Sequence, residues 1–181
     1  MTQPQLTEPG SPKLSAILWI ERLLERITMI GAMFGITVLT IAIIVVVGDI
    51  IWRRIGGGSF IGAVDLTQLS VVVAASLSIP YAFMKGAHVK VDLLGNFLSK
   101  RMQVFLDVCA ALFGAVLLSF LLWLTWGRAV EINTYGDVSQ DLAIPMILYW
   151  SALVIGLFLS VLVCLLSAAK LLVAKEPIDG A

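Results

Sequence analysis

Apolar residues run without a single charge across 27–48, 66–84, 108–127 and 142–169, stretches of 22, 19, 20 and 28 residues. Within each stretch the apolar character is continuous and shows no two-residue alternation. A helix needs about 20 such residues to cross a hydrocarbon layer of ~30 Å. A charge at mid-depth costs at least ~2.5 kcal/mol. Only helices and closed barrels satisfy every backbone group in lipid, and continuous runs are the helical pattern. The pattern therefore predicts an all-α membrane protein with four transmembrane helices, at about 27–50, 66–85, 104–127 and 145–170. The fourth run would extend ~42 Å as a helix, so its first residues are expected in the outer interface.

The flanks are organised differently. Residues 1–12 hold Pro4, Pro9 and Pro12 with few apolar groups, as expected of a disordered polar tail. Over 13–26, Glu21, Arg22, Glu25 and Arg26 share one helical face, and Ile20, Leu23, Leu24 and Ile27 take the other. This predicts an amphipathic interfacial helix, with Trp19 as an anchor, that leads into the first span. The stretch from Lys85 to Arg101 is also amphipathic and basic, suited to a membrane surface. Residues 171–181 form a short polar tail.

Small residues inside the spans mark places where helices approach closely. Gly31 and Gly35 are four apart in the first span. Ala111, Gly114 and Ala115 recur in the third, and Gly156 lies between Ala152 and Ser160 in the fourth. Pro80 removes a backbone donor within the second span and predicts a kink. Pro145 is expected in the first turn of the fourth helix, where a missing N–H costs nothing. Asp65 opens the second span and is expected to cap that helix. Gly56, Gly57, Gly58 and Gly62 predict a flexible loop before it.

Composition agrees with the pattern: 60% of residues are apolar and only 13% charged, against about 25% in soluble domains. The net charge is zero, which gives no case for nucleic acid. Orientation follows from where the basic residues fall. With both termini cytoplasmic, nine basic residues lie inside and three, Arg53, Arg54 and Arg128, lie outside. Trp52, Trp123, Trp126, Tyr149 and Trp150 then cluster near the outer ends, as interfacial aromatics do. Cys109 and Cys164 both fall within spans and are expected to be small packing residues.

Catalytic and cofactor chemistry is missing. The single histidine, His88, lies in a loop, where haem would need facing axial ligands. No cysteine cluster suits zinc or iron–sulfur, and Gly56-Gly57-Gly58 lacks the lysine of a phosphate loop. No cofactor, metal or enzyme activity is expected. Ion-coupled carriers keep an ionisable residue near the midplane. Here Asp49 and Asp107 stand only at span ends. The chain is therefore expected to support another membrane protein rather than to move a solute itself. Two other functions stay open on the residues alone: an autonomous four-helix exporter acting as a dimer, and a membrane anchoring or assembly protein.

Four segments together resemble a known family. They are Arg53 after the first span, Asp65-Leu66 at the second, Lys85-Gly86-Ala87-His88-Val89-Lys90-Val91-Asp92, and Ser139 with Pro145, Tyr149 and Trp150. Across 30–170 the chain resembles the small membrane subunit, DctQ-type, of tripartite ATP-independent periplasmic (TRAP) transporters. The His88 to Asp92 stretch is the most specific piece. The resemblance implies a multi-pass protein of a bacterial inner membrane. It implies a large multi-span permease partner that carries the transport site, a periplasmic substrate-binding protein that docks transiently, and sodium-driven uptake of small organic acids. Arg53, Asp65, His88 and Asp92 become candidate partner or lipid contacts.

Overall fold

The computed structural model describes residues 12–58, 61–85 and 100–175. Four helices follow in chain order: α1 (Pro12–Arg54), α2 (Ala63–Met84), α3 (Lys100–Tyr135) and α4 (Ile147–Lys175). All four are long and apolar enough to cross a membrane. α1 runs unbroken through residues 26 and 27, so the amphipathic segment and the first span are one helix. α3 and α4 likewise extend beyond the expected limits at 127 and 170.

The helices stand side by side in the order α1, α2, α4, α3, with a light contact between α1 and α4. This is an open row, not a closed bundle. Only 17% of the most apolar stretch of α1 and of α3, and 28% of that of α4, is buried within the chain. Water would make so much bare apolar surface unfavourable. In hydrocarbon it carries no such penalty, and helix association rests on close packing instead.

That packing uses small residues. On α1, Thr28, Gly35, Ala42 and Asp49 are buried at intervals of seven, with Ala32 buried between them. A seven-residue repeat keeps one seam facing a neighbour along a shallow left-handed crossing. The neighbour is α2. A Cβ added at Gly35 would lie 2.8 Å from the Ala74 Cα, whereas one at Gly31 would meet Leu77 at an ordinary 3.7 Å. α2 is flanked by α1 on one side and α4 on the other. Its buried residues Ala63, Asp65, Ser70, Ala74, Ser76 and Pro80 are accordingly small or polar.

Gly156 of α4 meets α2 at Ser76, where an added Cβ would overlap the carbonyl group and stand 3.0 Å from the Ser76 Cα. Ser76 is four residues before Pro80, so its carbonyl is the one that proline cannot serve as donor. α2 continues as helix through Pro80, which is buried. Between α3 and α4, Ala115, Leu118 and Cys164 form the core, joined by Phe83 from α2. Ala111 is buried, and Gly114 stands at ordinary distance from the Cys164 Sγ. Cys109, by contrast, is exposed rather than packed.

The glycine loop after α1 begins with a defined helix cap. Gly56 has φ 96°, Gly57 N–H donates to Trp52 O at 3.0 Å and Gly56 N–H to Arg53 O at 3.3 Å. These bonds make a Schellman cap, which needs a left-handed residue just past the helix. The Trp52 indole lies over Gly57, where a side chain would collide with it.

Candidate functional site

The polar groups of the row gather at its two ends. One end carries the connection from α1 to α2 and the connection from α3 to α4, and is called the hairpin end below. The other carries the last turns of α2 and α4, and is called the lysine end.

At the hairpin end the segment between α3 and α4 folds into a small closed turn. Gly136, with φ 68°, ends α3. Met146 N–H donates to Asp137 O and Ser139 N–H to Ile144 O, both at 2.9 Å, pairing Val138 with Pro145 across the turn. Ser139 is buried, and its Oγ accepts the Ile144 N–H at 2.9 Å. Pro145 thus belongs to the turn and precedes α4 by two residues. The expectation that it sits in the first helical turn is corrected: its ring closes a bridge, and its carbonyl accepts the Leu148 N–H at 3.1 Å.

Asp65 holds this turn against α2. Its Oδ2 accepts the Ser139 hydroxyl at 2.6 Å and the N–H groups of Asp141 and Leu142 at 3.0 and 2.8 Å. The buried Tyr149 hydroxyl donates to the Asp65 backbone oxygen at 3.0 Å. The expected helix cap is therefore corrected. The N-cap of α2 is Gly62, with φ 98° and no side-chain cap, because the Asp65 carboxylate is turned toward the α3–α4 segment. The Leu142 side chain occupies the space that a Cβ at Gly62 would need. Tyr149 is corrected too: it is a buried donor rather than an interfacial ring. Trp52, Trp123 and Trp126 are exposed.

Asp49 and Arg53 form the second polar pair of this end. Arg53 Nη2 lies 2.5 Å from Asp49 Oδ2, one helical turn away. The Asp49 side chain is 4% exposed and that of Arg53 is 51%, so the acid is inside and the guanidinium reaches out over it.

The lysine end is tied by two carboxylates one turn apart on α1. Glu25 Oε1 is 2.5 Å from Lys85 Nζ, just after α2, and Glu21 Oε1 is 2.5 Å from Lys170 Nζ on α4. Hydrogen bonding and charge from Glu25 push the Lys85 ammonium above the ordinary lysine range. The Tyr81 ring lies 5.7 Å from it and adds to the cation's favour. Leu24 and Thr28 are buried beside these acids, while Ile20, Leu23 and Ile27 are exposed. Glu21, Leu24, Glu25 and Thr28 thus line the side of α1 turned toward α2 and α4, while Ile20, Leu23 and Ile27 face outward together with Arg22 and Arg26. Two acids spaced by four residues were the available signal, but nothing in the sequence named their lysines.

Among the expected contact residues, Arg53 and Asp65 share the hairpin end, and His88 and Asp92 lie outside the described residues. No group of three His, Cys, Asp or Glu able to hold a metal ion is found among the described residues. A family model, "Tripartite ATP-independent periplasmic transporters, DctQ component", matches residues 42–174. The chain belongs to this family. Among curated proteins and solved structures no further match is found. The matched range takes in the Asp49–Arg53 pair, the Asp65 contacts and the Gly156–Ser76 crossing, and of the lysine-end pairs it takes in Lys85 and Lys170 but leaves out Glu25 and Glu21.

Proposed function

We propose that this chain is the small scaffold subunit of a sodium-gradient-driven, binding-protein-dependent uptake transporter for small organic acids. It pairs with a large permease subunit that carries the transport site, and a periplasmic substrate-binding protein docks on the assembly. Both termini face the cytoplasm, which puts the lysine end inside, as the excess of basic residues there favours. The hairpin end then faces the periplasm.

The observation that carries this reading is what the span-end acids are doing. Asp65 is engaged with Ser139 and two backbone donors, and Asp49 with Arg53. A coupling carboxylate must exchange ion or proton during a cycle. Asp65 is committed to holding the α3–α4 turn on α2 and Asp49 to an ion pair within α1, Asp107 is exposed near the start of α3, and the four apolar runs between the span ends contain no acid. The open row, with most of its apolar surface bare, suits a subunit that lies along a larger membrane protein. The test is affinity purification of the tagged chain from its own membranes, followed by reconstitution with and without the co-purifying permease. Uptake that requires the permease supports the reading, and uptake by this chain alone rejects it.

A further inference from the structure

Between α1 and α2 at the hairpin end lies an open groove of about 1210 Å³. Its walls are mostly apolar, with Val46, Ile50, Val64 and Val71 beside Thr67 and Gln68, and Arg53 and Arg54 form its rim at the end of α1. Val64 and Val71 are 60% and 49% exposed, so the groove opens sideways. Along α1 it extends from Val46 to Arg54, about 12 Å at 1.5 Å per residue. We propose that this groove is a binding site for an anionic phospholipid, with its acyl chain along the valine walls and its phosphate at Arg53 and Arg54.

The charges at the rim decide the occupant. Asp49 offsets Arg53, but Arg54 has no carboxylate partner among the described residues. A transmembrane helix laid in the groove would bury that guanidinium unless it brought an acid to the same height. A phosphate brings the anion with it, and a guanidinium binds phosphate oxygens through two parallel N–H donors. An acyl chain matches the walls below, where a free phosphate ion would leave them uncovered. The exposed Trp52 on the same turn of α1 suits the headgroup layer. Arg53 and Arg54 are also two of the three basic residues that the assigned orientation leaves on the outer side, and a lipid phosphate accounts for them. The site does not depend on the transport assignment.

The full chain, purified in mild detergent and stripped of lipid, is offered phosphatidylglycerol and phosphatidylcholine at equal concentration, and bound lipid is counted by native mass spectrometry. The wild type is expected to retain phosphatidylglycerol in preference. Arg54→Gln is expected to lower that retention about fivefold, in line with one basic group's attraction to anionic lipid. Arg54→Lys should recover part of it, and Val71→Trp, which fills the groove, should lower retention of both lipids. Among the described residues the Arg54 side chain holds no other element in place, so Arg54→Gln tests the site without disturbing the fold. Equal retention of the two lipids, unchanged phosphatidylglycerol retention in Arg54→Gln, or displacement of the lipid by inorganic phosphate would overturn the proposal. So would cross-linking of Thr67→Cys to a protein instead of to lipid in native membranes.

Discussion

Gly156 of α4 packs directly on the carbonyl of Ser76 in α2, the acceptor that Pro80 leaves without its helical donor. The proline and the glycine therefore act at one crossing. Pro80 frees a carbonyl, and the absent side chain at Gly156 lets a second backbone cover it. Close Cα–H···O approaches of this kind recur at helix–helix contacts.

Gly156→Val is accordingly expected to destabilise the row by about 1–3 kcal/mol, the usual cost of overpacking a close contact. Gly114→Ala should be tolerated, because a Cβ there meets only the Cys164 Sγ at 3.9 Å. Thermal unfolding in detergent, followed by circular dichroism, separates the two. Equal effects would contradict the assigned crossing.

The two glycines of the first span should also part company. Gly35→Val forces α1 away from Ala74, whereas Gly31→Ala meets Leu77 at van der Waals distance. The first is expected to cost about 1–3 kcal/mol and the second less than 1 kcal/mol. The readout is the same melting experiment, with cross-linking between cysteines placed on α1 and α2 as a second measure.

Removing the Asp65 carboxylate should free the α3–α4 turn. Asp65→Ala leaves the Ser139 hydroxyl and the Asp141 and Leu142 N–H groups without their common acceptor. Hydrogen exchange at Asp141 and Leu142 is expected to quicken, and limited proteolysis to cut within 137–146. Ser139→Ala should act in the same direction but less, and adding it to Asp65→Ala should change little, since both remove one network. Full additivity would place the two residues in separate networks.

At the lysine end, Glu25→Lys should loosen the start of α1 against α2, and the exchange Glu25→Lys with Lys85→Glu should restore it. Spin-label distances between α1 and α2 report the change. The sign with pH follows from Lys85, whose folded value is raised by Glu25. Its contribution is fully present below the unfolded lysine value and is lost as pH rises through the folded one. The contact should hold through neutral pH, and open under strongly alkaline conditions that deprotonate Lys85 or under acid conditions that protonate Glu25.

Charge-free runs made the four helices legible, because a mid-depth charge is costly wherever it falls. They said less about where helices stop. Lipid does not end a helix, and α1 and α3 stop at glycines with positive φ, Gly56 and Gly136. The small residues at Gly35 and Gly156 were visible, but their partners were not: Ala74 and Ser76 belong to a helix flanked on both sides, which leaves no one-faced pattern to follow. Asp65 was conspicuous for its place at a span start. Its bonds to Ser139, Asp141 and Leu142 cross more than 70 residues of chain, and no local rule distinguishes that from a cap. Periodicity puts Glu21 and Glu25 on one face with Arg22 and Arg26, which records which residues share a side and not what covers it.

The proposed function is to hold a carrier together without being one. Its most direct test is gradient-driven uptake of organic acids into vesicles containing the purified chain, the purified permease, or both, with binding protein supplied. No flux is expected for the chain alone, and full flux only for the complete assembly. Sodium-dependent flux through vesicles holding this polypeptide and no other membrane protein would contradict it.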